Sequence, residues 1–192
     1  MKQTDTPHSQ EDQLAYYPQE LFLRKNNDGE EYLNFYYSYY AKHLFALQEP
    51  SLYQGMEEDI ETYRLTWLRT FHTPIAIRIM KQGDAFSIIL KLCDGHGGYD
   101  PSNLVVNLHR IISYQDWENF QVHLNTFDFW SMETWDNVIG LDGADWILEG
   151  KSKDRYRLVT RHSPKKRIFP FFQACDYLIQ LTGVVVPDGE KY

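Results

Sequence analysis

From Tyr63 to Leu90 the apolar residues recur at every second position, and this alternation narrows the fold more than any other feature of the chain. Tyr63, Leu65, Trp67 and Phe71 alternate with Arg64, Thr66, Leu68 and Thr70, and Ile75, Ile77 and Ile79 alternate with Ala76, Arg78 and Met80. A period of two puts one set of side chains on one face of a strand. Gln82-Gly83 reads as a hairpin turn. Folding there sets Ile79 against Phe86, Ile77 against Ile88 and Ile75 against Leu90, with Arg78 against Ser87 on the other face. Apolar pairs gathered on one side are what a half-buried antiparallel pair requires. A fourth strand, about 104–112, carries Leu104, Val106 and Leu108 on one face.

Elsewhere the period changes. Leu33, Tyr36, Tyr40, Leu44 and Leu47 form a helical stripe that predicts a helix over 29–48. Asp28 and Glu31 stand at capping-box spacing, and Pro50 forbids continuation. Ser113 and Asp116 repeat that spacing ahead of Trp117, Phe120 and Leu124, so a helix is expected over 114–125. Residues 127–143 read as an aromatic-rich loop. A second hairpin pairs 145–150 with 156–161 around a loop at 151–155. Its register sets Asp145 against Arg161, Ile147 against Val159 and Glu149 against Arg157, and leaves Trp146, Leu148, Leu158 and Thr160 on the other face. Phe171, Ala174, Cys175, Leu178 and Leu181 mark a helix over 169–182, with Gly183 as its C′ residue. The order α-ββββ-α-ββ-α implies an α+β fold, an antiparallel sheet of about six strands with helices packed on one face. Residues 1–15 are polar and unpatterned and read as a flexible tail, leaving 16–192 as a single domain.

Charge is segregated. Residues 1–62 hold 4 basic and 12 acidic side chains and residues 63–192 hold 15 of each, so the whole net charge of −8 lies in the N-terminal third. Glu57, Glu58, Asp59 and Glu61 cluster before the first long strand and are a candidate contact surface for a basic protein partner. The bland alternative is a solvated surface. Arg155, Arg157 and Arg161 share a strand face and, with Lys165, Lys166 and Arg167, form a candidate anion patch. Cross-strand ion pairs with Asp145 and Glu149 explain the same residues. A pI near 5.3 argues against nucleic acid as a partner. The aromatic share of 16% suits either a thick core or a binding rim. No apolar run nears the roughly 20 residues that span a bilayer, and 1–16 has no apolar signal region, so no membrane partner and a cytoplasmic location are expected. Cys93 and Cys175 fall in apolar stretches and read as buried free thiols.

The loop Asp94-Gly95-His96-Gly97-Gly98-Tyr99-Asp100 concentrates glycine and is a candidate ligand loop. Its backbone could form an anion nest, and a wide turn between strands needs glycine in any case. Arg64, Arg78, Lys91 and Trp130 are the residues expected to line a pocket beside it. The sequence carries no P-loop or Rossmann fingerprint, no HExxH pair and no G-x-S-x-G, so no metal, no cofactor and no catalytic residue is assigned.

Asp142-Gly143-Ala144-Asp145-Trp146-Ile147-Leu148-Glu149, followed by Tyr156-Arg157-Leu158-Val159, gives a D-G-x-x-W-x-L-E strand and a Y-x-x-V strand. The pattern resembles a group of small, uncharacterised bacterial α+β proteins. Tyr63-Arg64, Trp67, Asp94-Gly95 and Gly98 match the same group, and the resemblance covers about 60–163. It implies a fold and brings no activity with it. The function expected from charge, aromatic load and missing catalytic motifs is a non-enzymatic interaction protein, such as an immunity-type inhibitor of a basic partner. A small-molecule site, enzymatic or not, near 94–100 and a structural subunit of a larger assembly are the alternatives.

Overall fold

The structure, a computed structural model, describes residues 15–25, 27–55, 57, 59–136, 138, 140, 142–165 and 168–192, and Lys166 by its backbone alone. Residues 1–14 of the expected tail, Glu58, Arg167 and the Lys166 side chain lie outside the described residues. In chain order the elements are β1 (Leu23–Lys25), β2 (Glu31–Leu33), α1 (Phe35–Ala46), β3 (Ile60–Arg69), β4 (Ile75–Gln82), β5 (Ala85–Cys93), β6 (Leu104–Ile111), α2 (Tyr114–Thr126), β7 (Ala144–Ser152), β8 (Arg155–His162) and α3 (Phe169–Thr182). The fold is α+β. Strands β3 to β8 form one antiparallel sheet in the order β6-β5-β4-β3-β7-β8, and β1 and β2 form a separate two-stranded ribbon.

Local signals set several element ends. Ser113 Oγ accepts from the Asp116 amide at 3.1 Å and Asp116 Oδ2 accepts from the Ser113 amide at 3.0 Å, so the expected capping box opens α2. Pro170 stands in the first turn of α3, and Gly183 ends that helix at φ 74°. The start of α1 differs from the expected 29. Glu31–Leu33 pairs with Leu23–Lys25 instead, Gly29 turns the ribbon at φ 82°, and Asn34 caps α1 by accepting from the Tyr36 amide at 2.9 Å. Asp28 therefore does not open α1, because a non-local strand pairing claims the residues after it.

The first hairpin shows the value of parity. Its register is Ile79 opposite Ile88, Ile77 opposite Leu90 and Ile75 opposite Leu92, two residues from the expected one. Gln82 pairs with Ala85, so Gly83 and Asp84 make a two-residue turn with Gly83 first, at φ 56°. An even shift keeps every side chain on its expected face. The second hairpin slips by one: Asp145 pairs with His162, Ile147 with Thr160 and Glu149 with Leu158. The Asp145–Arg161, Ile147–Val159 and Glu149–Arg157 pairs do not form. The turn is a tight one at Lys153-Asp154 rather than a five-residue loop, and an odd slip exchanges the two faces of β8. The neighbouring strand fixes β7 in place, with Leu65 opposite Leu148 and Trp67 opposite Trp146.

Tyr63, Leu65, Trp67, Ile75, Ile77, Ile79, Trp146, Leu148 and Val159 form the main core face. They pack against Trp117, Phe120 and Leu124 of α2 and Phe171, Cys175, Leu178 and Ile179 of α3. One helix departs from the expected shared face. α1 lies on the opposite side, where Tyr40 and Leu44 meet Leu68, Ile147 and Leu158 together with Tyr17 and Phe22. The two sheet edges also differ. Residues 132–134 run along β8, with Thr160 N donating to Thr134 O at 2.8 Å, while β6 ends the sheet on the other side. Both cysteines are free and buried. Among the described residues no helix is long and apolar enough to cross a membrane.

Candidate functional site

The α1 face of the sheet collects two charge clusters, one of buried charged side chains and one lining an open cleft. The first lies beneath the end of α1. Arg64 and Glu149 are cross-strand partners on β3 and β7, and Arg64 Nε and Nη2 donate to Glu149 Oε2 at 2.8 and 2.5 Å. Arg64 Nη1 donates to Pro50 O at 2.6 Å and to Glu49 Oε2 at 3.3 Å. Arg78 Nε reaches Glu49 Oε2 at 2.9 Å, Lys91 Nζ reaches Glu49 Oε1 at 3.1 Å, and Tyr156 donates to Glu149 Oε1 at 2.8 Å. Every charged member is buried. Burial pushes the Glu49 carboxyl up, but Arg64, Arg78 and Lys91 outweigh it and hold it below the ordinary value. For Glu149 burial wins over the single Arg64, and its carboxyl is raised. Arg64, Arg78 and Lys91 therefore bind the turn after α1 to the sheet and do not line a pocket beside the glycine-rich loop. Trp130, the fourth residue expected there, packs on Tyr63 and Phe129 beneath Arg155.

The second cluster forms a cleft where β3 ends, β7 begins and β8 ends. One lobe, about 270 Å³, is lined by Phe35, Tyr36, Tyr39, Gly98, Tyr99 and Asp145 among others. The adjoining lobe, about 260 Å³, is lined by Arg24, Tyr36, Tyr40, Trp135, Asp136 and Asp145 among others. The i, i+3, i+4 spacing of Tyr36, Tyr39 and Tyr40 places three phenol rings from one turn of α1 along the cleft. Tyr40 donates to Asp145 Oδ2 at 3.2 Å and shares a 3.2 Å contact with Thr160 Oγ1. Burial, then the Asp145 charge, raises the pKa of Tyr36, Tyr39 and Tyr40, so all three are neutral phenols. His162 Nδ1 lies 3.1 Å from Asp145 Oδ1 and its Nε2 lies 3.2 Å from Asp142 O. Both ring nitrogens thus face oxygen atoms of the cleft. Gly140 lies against this ring, and a Cβ there would stand 2.1 Å from His162 Nε2.

The glycine-rich loop forms a wall rather than a nest. The amides of Asp94, Gly95, His96, Gly97, Gly98 and Tyr99 all donate to backbone carbonyls, at 3.0, 3.0, 2.8, 2.8, 3.2 and 3.1 Å. Gly97 and Gly98 let it press on the end of β3, where a Cβ would meet backbone atoms of Arg69 and Thr70 at 2.7 and 2.8 Å. Tyr39 donates to Gly97 O, and Lys42 Nζ reaches Tyr99 O at 3.3 Å and Asp100 Oδ2 at 3.4 Å, so α1 is fastened to this wall. Asp94 and His96 are exposed on its outer side.

The other sequence candidates stand apart from the cleft. Glu57 and Asp59 are exposed at the opposite end of β3, and Glu61 accepts from Tyr63 at 2.7 Å. Arg155 stacks on Trp130 with 4.4 Å to the ring centroid. Arg157 donates to Met132 O at 3.2 Å, and Arg161 donates to Thr134 O at 3.1 Å and Glu133 O at 2.9 Å. The expected anion patch is thus corrected: Arg157 and Arg161 fix the segment that covers β8. Among the described residues no group of three or more His, Cys, Asp or Glu is placed to hold a metal. Burial pushes the Cys93 thiol up to about 11 and the Cys175 thiol well above its ordinary value, which suppresses thiolate chemistry. Asp145, His162, Tyr36, Tyr39 and Trp135 are not among the candidate site residues that the sequence offers. The one available signal was the tyrosine run in α1, which reads equally well as core.

No protein-family model matches the chain, and no curated protein matches it in sequence.

Proposed function

We propose that this chain is a non-enzymatic recognition protein whose cleft takes a cationic group presented by a basic partner. The observation that carries the reading is the joining of an acidic floor to aromatic walls. Asp136, Asp142 and Asp145 line the two lobes against Arg24 and His162, and Phe35, Tyr36, Tyr39, Tyr99 and Trp135 surround them. Aromatic faces and a carboxylate together favour an amine or a guanidinium. At the rim Phe35, Phe71 and Tyr99 are 70%, 55% and 62% exposed, large apolar groups of the kind a partner covers. An immunity-type inhibitor would take an arginine or lysine of its target in this way.

A second reading, a free small molecule, is favoured by one observation. The lobes, at about 270 and 260 Å³, adjoin through Tyr36 and Asp145 and together reach ligand size, and Gly98 and Tyr99 of the glycine-rich loop are among their walls. Titration by two-dimensional NMR with N-acetyl-arginine amide, and separately with agmatine, tests both. Shifts centred on Tyr36, Gly98, Asp145 and His162, abolished in Asp145→Asn, are expected. Shifts centred on 57–61, or unchanged by that substitution, would remove the cleft from the function. Tighter binding of agmatine than of the capped arginine would favour the small-molecule reading.

A further inference from the structure

The lobe of the cleft walled by Trp135 already holds a cation of the chain's own. Arg24 and Trp135 line it together with Asp136 and Asp145, and Arg24 Cζ stands 5.2 Å from the centroid of the Trp135 ring. An indole face attracts a guanidinium at that distance. Phe22, Tyr36 and Tyr40 crowd the same indole, with ring centroids 5.3, 5.6 and 6.4 Å from it, so a second cation has little room against it. Arg24 Nη1 donates to Leu23 O at 2.8 Å, on its own strand. The ribbon that carries Arg24 is lightly built. Each of its strands has three residues, the pair joins no other strand, and Leu23, Lys25 and all of β2 are exposed. A two-stranded ribbon is marginally stable by itself. Its base is fixed by contrast: Phe22 is buried against Tyr37, Tyr40 and Trp135, and Trp135 Nε1 donates to Leu21 O at 2.7 Å.

We propose that Arg24 is an internal stand-in for the ligand, and that an arginine side chain of the partner displaces it to reach Trp135 and the carboxylates. The inference rests on the reading of the cleft as a cation site, and adds to it the ligand's class and a form of regulation. The class is a guanidinium, because that is the group the chain itself sets against the indole. A flat, weakly hydrated cation also suits an aromatic face better than a compact, strongly hydrated ammonium. The regulation is competition. Two guanidinium groups in one small lobe repel each other, and more strongly than they would in bulk water. The incoming group must therefore move Arg24. The light ribbon lets that side chain swing out, while the fixed base keeps Trp135 in place. Displacement takes a share of the ligand's affinity, so a lone cation binds the cleft weakly. An arginine borne by a partner that also covers Phe35 and Tyr99 recovers that share at the rim.

The unmodified protein gives the first test. In the free chain the Arg24 Nε–Hε resonance should be displaced from its position in an unstructured peptide, because the indole ring current acts on a group held at its face. It should return to that position as N-acetyl-arginine amide saturates the cleft. Affinities from the same NMR titration give the second test. Arg24→Gln, folded by circular dichroism, should bind N-acetyl-arginine amide about two- to fivefold more tightly than the unmodified chain, the size of an exposed cation–π contact. Lys25→Gln removes the same charge from an exposed position of the ribbon and should change the affinity by less than about 1.5-fold, since a solvated charge is screened. An Arg24 resonance that stays in place at saturation, or Arg24→Gln binding no more tightly than Lys25→Gln, would overturn the stand-in and leave the cleft a cation site. Binding by neither the unmodified chain nor Arg24→Gln would overturn the reading of the cleft, and the stand-in with it.

Discussion

Two charge clusters share one face of one sheet, beneath the two ends of the same helix, and they are built from opposite materials. Under the end of α1, Arg64, Arg78 and Lys91 meet Glu49 and Glu149 in a buried layer where each charge has a partner within 3.3 Å. Under its start, Asp145 accepts from Tyr40 and faces His162, whose other ring nitrogen lies against a backbone carbonyl, and the cleft above them stays open. The arginine forks saturate the first site. The tyrosines leave the second with spare acceptor capacity and apolar walls. Similar residue types therefore serve structure in one place and recognition in the other, according to whether opposite charges fill the space themselves.

The sharpest way to break this contrast is to unbalance the buried cluster. Arg64→Met strands Glu149 without its cation and should cost about 3–5 kcal/mol of stability in urea denaturation. Arg64→Met combined with Glu149→Leu should recover about half of that or more, because a buried pair is replaceable by apolar side chains although a lone buried charge is not. No recovery would mean the two groups act separately.

pH resolves the two carboxylates of that layer. The folded state holds Glu49 below its ordinary value of 4.5, so its stabilisation is full above that pH and is lost as pH falls through the depressed value. Glu149, raised by burial, acts with the opposite sign: its contribution is full below its ordinary value and declines as pH rises through the raised one. Denaturation measured from pH 3 to pH 8 should therefore show Glu49→Gln losing the acid-side slope, while Glu149→Gln loses the decline at higher pH.

The smallest effect on stability belongs to the open cleft. Tyr99→Ser removes a rim residue that is 62% exposed, and should change stability by no more than about 0.5 kcal/mol. It should nonetheless weaken N-acetyl-arginine amide by about two- to fivefold in the same NMR titration, the size of an exposed cation–π contact. A loss of stability without a loss of binding would reverse the roles assigned to the two clusters.

Local chemistry was legible in the sequence and long-range pairing was not. Ser113 with Asp116, and Gly183 after Leu181, locate helix ends because capping is settled within a few residues. The faces of β3, β4 and β5 were legible because apolar alternation survives an even error in register. β7 and β8 defeat the same reasoning. Arg161 and His162 differ by one position, and only the pairing of β7 with β3, some 80 residues away in sequence, decides which of them faces Asp145. The cleft depends on that decision. Glu149 likewise has an arginine at hand in sequence, Arg157, and takes Arg64 from β3 instead. α1 was read too long because nothing local signals that Glu31–Leu33 will pair with Leu23–Lys25.

The stretch 132–134 along β8 has a consequence for how many molecules can join. A sheet with two bare rims can keep adding copies, and the product is a fibre. Here one rim is already occupied by the chain itself, through Thr134 O and the guanidinium groups of Arg157 and Arg161. Strand addition to this sheet is therefore open at β6 alone, and a sheet with a single open rim cannot propagate through both edges.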